Sequence, residues 1–230
     1  MKNILVTGAT GGIGQEICIH FSNLGYKVFG FYNKNKETAS FLQTNYGVVT
    51  YQVDITNEQE ITLALCDIKN KYGKISVLIN SAGITKRGFL ADFTEQDYND
   101  IFNTNLKSVF IICKNLIWDL VETKGDIINI SSIWATRPAS CEVLYSASKG
   151  AIESFTRSLA EELKYSNVKV NAISPGFVDT PINKGISKQE IQEFLQENNL
   201  SKVVTAKEIA LLCEQILLDD KTGEIYEIFG

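Results

Sequence analysis

The sequence predicts an α/β chain, a doubly wound parallel sheet of about seven strands with helices on both faces. Three observations carry that prediction. Short β-branched runs alternate with longer helical patterns from one end to the other. Runs such as Asn3-Ile-Leu-Val6 and Ile127-Ile-Asn-Ile130 are continuous rather than alternating, as suits strands covered on both faces. The 230 residues hold only three Pro and no repeat, low-complexity tract or Pro/Gly-rich linker, so one domain over 1–230 is the simplest reading.

In chain order, strands are expected at 3–6, 27–32, 48–53, 77–80, 126–130, 168–173 and 224–228. Helices are expected near 13–24, 36–45, 58–72, 95–122, 145–165, 188–198 and 206–218. Thr94-Glu-Gln-Asp97 and Thr205-Ala-Lys-Glu208 place a hydroxyl at the cap and a carboxylate three residues later, a helix-start pattern. The segment 95–122 carries Ile101, Leu106, Val109, Phe110, Cys113, Ile117 and Leu120 at spacings of three to five, and reads as one helix with a broad buried face. Repeated βα units imply right-handed crossovers.

Composition narrows the function. A net charge of −5 without a basic block leaves no electrostatic footprint for nucleic acid. The single His20 excludes multi-His metal sites and is expected to be structural, with no paired acid. Cys18, Cys66, Cys113, Cys141 and Cys213 form no CxxC and read as reduced thiols, so neither a zinc knuckle nor a redox dithiol is expected. The N-terminal apolar run is too short for a signal-peptide core, and no stretch is long enough to span a membrane. The expected location is the cytoplasm.

The first strand runs into Thr7-Gly-Ala-Thr-Gly-Gly-Ile-Gly14 and then an amphipathic helix. Glycines at 8, 12 and 14 remove Cβ atoms that would block a tight strand-to-helix turn, and they let backbone N–H groups approach a pyrophosphate. The turn is therefore a candidate dinucleotide site. At the end of the second strand, where an NAD-selective site carries a carboxylate, the chain has Tyr32, Asn33 and Lys34. Lysine attracts a 2′-phosphate that a carboxylate would repel, so NADP(H) is favoured over NAD(H).

Tyr145-Ser-Ala-Ser-Lys149 sets a phenol and an ammonium one helical turn apart. The same spacing recurs at Tyr32/Lys36 and Tyr165/Lys169, so alone it is poor support. Only Tyr145/Lys149 lies inside a continuous helical pattern and follows a buried strand ending in Ser131-Ser132.

Taken together, the chain resembles the short-chain dehydrogenases/reductases over nearly its whole length, which implies a Rossmann-like sheet. The resemblance implies that Gly8, Thr10, Gly11, Gly12, Ile13, Gly14, Asn33 and Lys34 hold the cofactor, with Asp54 and Ile55 at the adenine. Asn80-Ser-Ala82-Gly83 matches the motif closing the fourth strand, and Pro175-Gly176 with Val178 and Thr180 the segment at the nicotinamide carboxamide. Asn105, Ser132, Tyr145 and Lys149 match the catalytic tetrad, with the family's usual thirteen-residue step from Ser132 to Tyr145. Tyr145 and Lys149 also bind cofactor in that family, and Asn105 there holds a water relaying protons to the lysine.

Chemistry gives these residues roles. Carbonyl reduction needs a hydride, a proton donor and hydrogen bonds to the developing alkoxide. A free phenol is a poor acid-base group at neutral pH. A lysine cation about 4 Å away would favour the phenolate by on the order of 4 kcal/mol, or about three pKa units. Ser132 would bond the substrate oxygen. Taken singly, Ser132 reads as a strand-end hydroxyl and Asn105 as an ordinary polar residue, while Trp134 and Arg137 face substrate or simply pack.

Within the family the chain looks most like the 3-oxoacyl-[acyl-carrier-protein] reductase branch of fatty acid biosynthesis. That implies an acyl-thioester substrate, with Lys86 and Arg87 either steering an acidic carrier protein or standing as solvated loop charges, and a homo-oligomer (tetramer or dimer) packed through helices 95–122 and 145–165. A short substrate lid is expected over 179–205. The alternatives are an alcohol, sugar or steroid dehydrogenase of the same family and a non-catalytic nucleotide sensor.

Overall fold

The computed structural model describes residues 2–180 and 187–229. Seven strands form one parallel sheet: β1 (Asn3–Thr7), β2 (Lys27–Tyr32), β3 (Val49–Gln52), β4 (Val77–Asn80), β5 (Asp126–Ile130), β6 (Lys169–Pro175) and β7 (Ile225–Ile228). Their order is β3-β2-β1-β4-β5-β6-β7. The continuous apolar runs sit where two covered faces require them, since every residue of β4 and β5 is buried.

Helices cover both faces. Against one lie α1 (Gly12–Asn23), α2 (Lys36–Tyr46) and α8 (Ala206–Leu218), packed through Ile17, Phe21, Leu42, Ile209 and Ile216. Against the other lie α3 (Glu58–Tyr72), α5 (Ser108–Thr123) and α6 (Val143–Leu163), packed through Ile61, Ile68, Ile112, Leu116 and Ile152. The strand order reverses direction between β1 and β4, which opens a crevice beyond the carboxyl ends of the strands.

Two expectations need correction. The helix expected over 95–122 is α4 (Glu95–Phe102) and α5, joined by a wide π turn at Asn103–Lys107 in which the Ser108 N–H donates to the Asn103 carbonyl. The extra residue turns Asn105 inward, where it bonds the backbone of Ile84 through both ends of its amide. His20 does have an acidic partner: its Nε2 lies 2.7 Å from Glu214 Oε2 on α8, joining α1 to α8. The last helix on the cleft side is α7 (Lys188–Glu197), begun by a reciprocal capping box between Ser187 and Glu190. Part of the expected lid, 181–186, lies outside the described residues.

Candidate active site

The β1–α1 turn is shaped by what its glycines lack. Gly8 has φ +65°, and a Cβ there would sit 2.8 Å from Ala82 Cα. A Cβ on Gly14 would collide with the carbonyl oxygen of Gly8. Helix α1 follows Gly11 with no side chain capping its first N–H groups and no acid in its first turn, so that end keeps its partial positive charge. Thr7, which has no role in the sequence reading, locks the turn in place: its buried hydroxyl accepts from the N–H groups of Ser81 and Ala82, each at 3.1 Å.

A groove runs from this turn along the strand ends. Gly8, Thr10 and Gly11 line it with Asn33 and Lys34 after β2, Asp54 and Ile55 after β3, and Ala82 and Gly83 after β4. Gly12, Ile13, Gly14 and Thr180 line its continuation. Asp54 Oδ1 accepts from Thr56 N at 2.9 Å and Thr56 Oγ1 at 2.7 Å, which fixes the carboxylate at the groove wall. Gln52 Nε2 donates to the Asn33 carbonyl at 2.9 Å. Asn80 stands apart. Its side chain turns into the sheet, where Nδ2 donates to Asn129 Oδ1 at 2.9 Å beside Cys113.

The groove opens into a cavity lined by Ser132, Tyr145 and Lys149, with Pro175, Gly176, Val178 and Thr180 along one side. Ser132 ends the β5 segment and caps a short 3₁₀ turn, accepting from Trp134 N at 3.2 Å. Tyr145 and Lys149 lie on consecutive turns of α6, and Lys149 Nζ is 5.7 Å from the Tyr145 ring centre. Nζ donates to the Ile130 carbonyl at 2.8 Å. Asn105 is buried behind them. Its Nδ2 donates to Ser148 Oγ at 3.0 Å, and that hydroxyl donates to the Tyr145 carbonyl at 2.7 Å. A Cβ on Gly83 would lie 3.4 Å from Lys149 Nζ and 3.5 Å from Asn105 Oδ1, so the lysine and the asparagine flank the same small residue.

Burial governs the protonation of this pair. It pushes the Tyr145 phenol up to about 12; a hydrogen bond with Ser132 opposes that rise and the charge of Glu142 adds to it. Burial draws Lys149 down to about 8. The expectation of a phenol pulled down by its lysine is therefore reversed here: the ammonium is held at the Ile130 carbonyl, and desolvation outweighs it.

Among the lining residues, Thr85, Glu142, Phe177 and Phe194 escape sequence reasoning. Thr85, Arg87 and Glu142 form a polar wall, with Thr85 Oγ1 donating to Glu142 Oε1 at 3.0 Å. Trp134, Phe177 and Phe194 form an apolar one, the Trp134 and Phe194 rings meeting edge-on at 5.3 Å. Trp134 thus both faces the cavity and packs. Arg137 points elsewhere, donating to the Asn198 carbonyl at 2.5 Å and covering the Phe229 ring. The Ser81 hydroxyl is buried without a partner at the junction of groove and cavity.

Comparison with known proteins agrees with this geometry. A family model described as short chain dehydrogenase matches residues 2–191. The 3-oxoacyl-[acyl-carrier-protein] reductase FabG of Chlamydia muridarum (strain MoPn / Nigg) is 32% identical over 100% of this chain and 96% of its own. The acetoacetyl-CoA reductase of Acinetobacter sp. (strain RA3849) is 31% identical, again over 100% of this chain and 96% of its own. A 3-ketoacyl-(acyl-carrier-protein) reductase from Brucella melitensis, solved in complex with NADH, superposes with a TM-score of 0.92 at 24% identity over 99% of this chain and 96% of that one, which shows a common fold. A match that takes in the glycine turn, the β5 serine and the Tyr145/Lys149 helix in one stretch leaves a single conclusion: the chain belongs to the short-chain dehydrogenase/reductase family of oxidoreductases.

Proposed function

We propose that this oxidoreductase reduces the ketone of a 3-oxoacyl thioester, with NADPH as the preferred reductant. The observation that carries the reading is the convergence of Ser132, Tyr145 and Lys149 on one cavity that is continuous with the glycine-lined groove. The groove fits a dinucleotide. Its floor has no room for side chains at Gly8 and Gly14, the first turn of α1 is uncapped, and the orphaned Ser81 hydroxyl offers a hydrogen bond where groove and cavity join. Gly11, Gly12 and Ile13 would face the pyrophosphate, Asp54 and Ile55 the adenine, and Val178 and Thr180 the nicotinamide end. Lys34, exposed beside Asn33, supports the 2′-phosphate assignment by charge.

When bound, the nicotinamide supplies the hydride. Ser132 Oγ and Tyr145 Oη would hold the substrate oxygen, and Tyr145 Oη would pass its proton to that oxygen as negative charge grows there. Lys149, with its pKa near 8, is mostly protonated at neutral pH and becomes the counter-ion of the phenolate left behind. Asn105 ties the loop after β4 to α6 and so fixes where Tyr145 stands. Trp134, Phe177 and Phe194 keep water from the reacting carbonyl, and we assign α7 to the lid.

The thioester substrate follows the names of the two relatives, as does an acyl-carrier partner. Lys86 and Arg87 add little to carrier docking, because Lys86 is paired with Asp97 at 2.6 Å and Arg87 lies 3.5 Å from Glu142. Phe110 and Trp118 remain exposed on α5, which supports a homo-oligomer, dimer or tetramer, packed through that helix. Among the described residues no helix is long and apolar enough to cross a membrane, and the cytoplasm is our proposed location.

The test is consumption of NADPH and of NADH with acetoacetyl thioesters and a panel of simple ketones, for the wild type and Lys34→Glu. Thioester-dependent turnover, faster with NADPH, is expected. Lys34→Glu should lose about tenfold in kcat/KM for NADPH, about 1.4 kcal/mol, and nothing for NADH. Turnover only with free ketones or sugars, or only with NADH, discards the substrate or the cofactor assignment. Tight cofactor binding without turnover on any of them favours a sensor.

A further inference from the structure

The polar wall of the cavity holds a carboxylate oxygen that the protein itself does not use. Glu142 immediately precedes α6, is 5% exposed, and lines the cavity with Ser132 and Tyr145. Its two oxygens are treated differently. Oε1 is satisfied by the loop after β4: Thr85 Oγ1 donates to it at 3.0 Å, and Arg87 Nε lies 3.5 Å away. That loop is fastened at both ends, by Asn105 to the Ile84 backbone and by Gly88 N to the Cys141 carbonyl at 2.9 Å. Oε2 accepts no hydrogen bond among the described residues, and it is not sealed from solvent either. Nor does α6 take it up, since Glu142 makes no capping bond to the helix it precedes. A carboxylate so enclosed is costly unless donors reach both of its oxygens. The donor for Oε2 has to come from what the cavity binds.

We infer that Glu142 is a specificity-determining residue whose Oε2 accepts the N–H of the first amide beyond the thioester sulfur of the substrate. This rests on the reading of the activity as thioester reduction. Around its ketone a 3-oxoacyl thioester carries only acceptors, which a carboxylate oxygen repels. Its nearest donor lies further along the thiol arm. Coenzyme A and acyl carrier proteins, which the names of the two relatives contain, both attach acyl groups through a cysteamine amide. Six bonds separate the ketone carbon from that amide nitrogen, and they span about 7 Å when extended. Glu142 stands three residues before Tyr145, about one helical turn, or about 5.4 Å, along α6. With the ketone oxygen at Ser132 and Tyr145, the amide comes within reach of the carboxylate. The thiol arm then follows the polar wall, and the acyl group is left to Trp134, Phe177 and Phe194.

The experiment compares two acetoacetyl thioesters that differ by one N–H. One is the thioester of N-acetylcysteamine; in the other, that of 2-acetoxyethanethiol, an ester oxygen replaces the amide nitrogen. Cofactor consumption gives kcat/KM for each. In the wild type the amide substrate should lead by about tenfold or more, as a hydrogen bond to a charged acceptor warrants. In Glu142→Leu the ratio should fall to about one, and in Glu142→Gln, which keeps an acceptor without the charge, it should lie between. Damage to the fold or to Tyr145 lowers both substrates alike and leaves their ratio in place. A wild-type ratio near one, or a ratio unchanged in Glu142→Leu, overturns the inference; should that variant not fold, the ratio in Glu142→Gln decides in the same way. If the wild type turns over neither thioester, the reading of its activity fails, and the role of Glu142 is decided by binding. Calorimetry with the two matching butyryl thioesters, which carry no ketone to reduce, then gives Kd values for the protein with oxidised cofactor. A lead of about tenfold for the amide upholds the inference, and equal values overturn it.

Discussion

On the β1–α1 side of the cleft the chain makes its site by leaving atoms out; on the α5–α6 side it does so by burying polar ones. The first side is nearly all backbone: Gly8 against Ala82, Gly14 against the Gly8 carbonyl, an uncapped helix end. It offers N–H groups in fixed places, and any added methyl group disturbs them. The second side is a buried network in which Asn105, Ser148, Tyr145, Lys149 and Glu142 each hold a partner by a named hydrogen bond or charge. Low dielectric makes each of those groups strong when paired and costly when not. The two regions should therefore fail differently: one by steric intrusion with loss of binding, the other by loss of a proton or a charge with binding retained.

The largest expected effect separates them most sharply. Tyr145→Phe removes one oxygen from the polar side and touches nothing in the glycine turn. Its kcat should fall by about a thousandfold, about 4 kcal/mol in the barrier, with NADPH affinity unchanged within about twofold. Single-turnover kinetics and a fluorescence titration with NADPH read the two quantities. If cofactor affinity collapses together with kcat, the sides are not independent and the comparison breaks.

Lys149 gives the next effect, visible in stability. Burial lowers its pKa from its ordinary 10.5 to about 8. Below about pH 8 both folded and unfolded chains carry the proton, and the folded state bears the full cost of burying the charge. Between about 8 and 10.5 the unfolded chain keeps the proton that the folded chain has lost, so stability rises with pH through that window, by about 3 kcal/mol when complete. Urea unfolding of the wild type and Lys149→Met, compared from about pH 7.5 to 10, isolates this lysine. The wild type should gain on the variant as pH rises, and parallel curves would mean that Lys149 titrates normally.

The same contrast explains what was legible in the sequence. Strand positions and the glycine turn were legible because their physics is local: continuous apolar runs for β4 and β5, and missing Cβ atoms at a strand-to-helix turn. Tyr145, Ser132 and Lys149 could be chosen from competing Tyr-Lys pairs by the same local context. Glu142 could not. At the start of a helix an acid reads as an ordinary solvated residue, and only Thr85 and Arg87, distant in the chain, bury it. The π turn at Asn103–Lys107 was invisible for a related reason. Leu106 and Val109 keep an apolar helical spacing across it, and what opens the turn inward is the bond of Asn105 to the remote Ile84 backbone. Phe194 hides in a polar stretch until α7 brings it over Trp134.

The smallest expected effect tests the backbone side. In Gly14→Ala the new methyl group meets the Gly8 carbonyl, and Gly8 cannot retreat because its own α-carbon is packed against Ala82. Overpacking of this kind costs about 2 kcal/mol, shared between stability and the displaced N–H groups of the turn. NADPH affinity should drop by about tenfold or more, while the pH dependence of stability set by Lys149 stays as in the wild type. Gly150→Ala on α6, where the added carbon would lie 3.4 Å from the Ala135 carbonyl, is the matched control on the polar side and should bind NADPH normally. Thr7 joins the glycine turn to the loop after β4 by gripping Ser81 and Ala82, so a shifted Lys149 pH dependence in Gly14→Ala would show that strain crosses that grip, and the two sides would have to be treated as one.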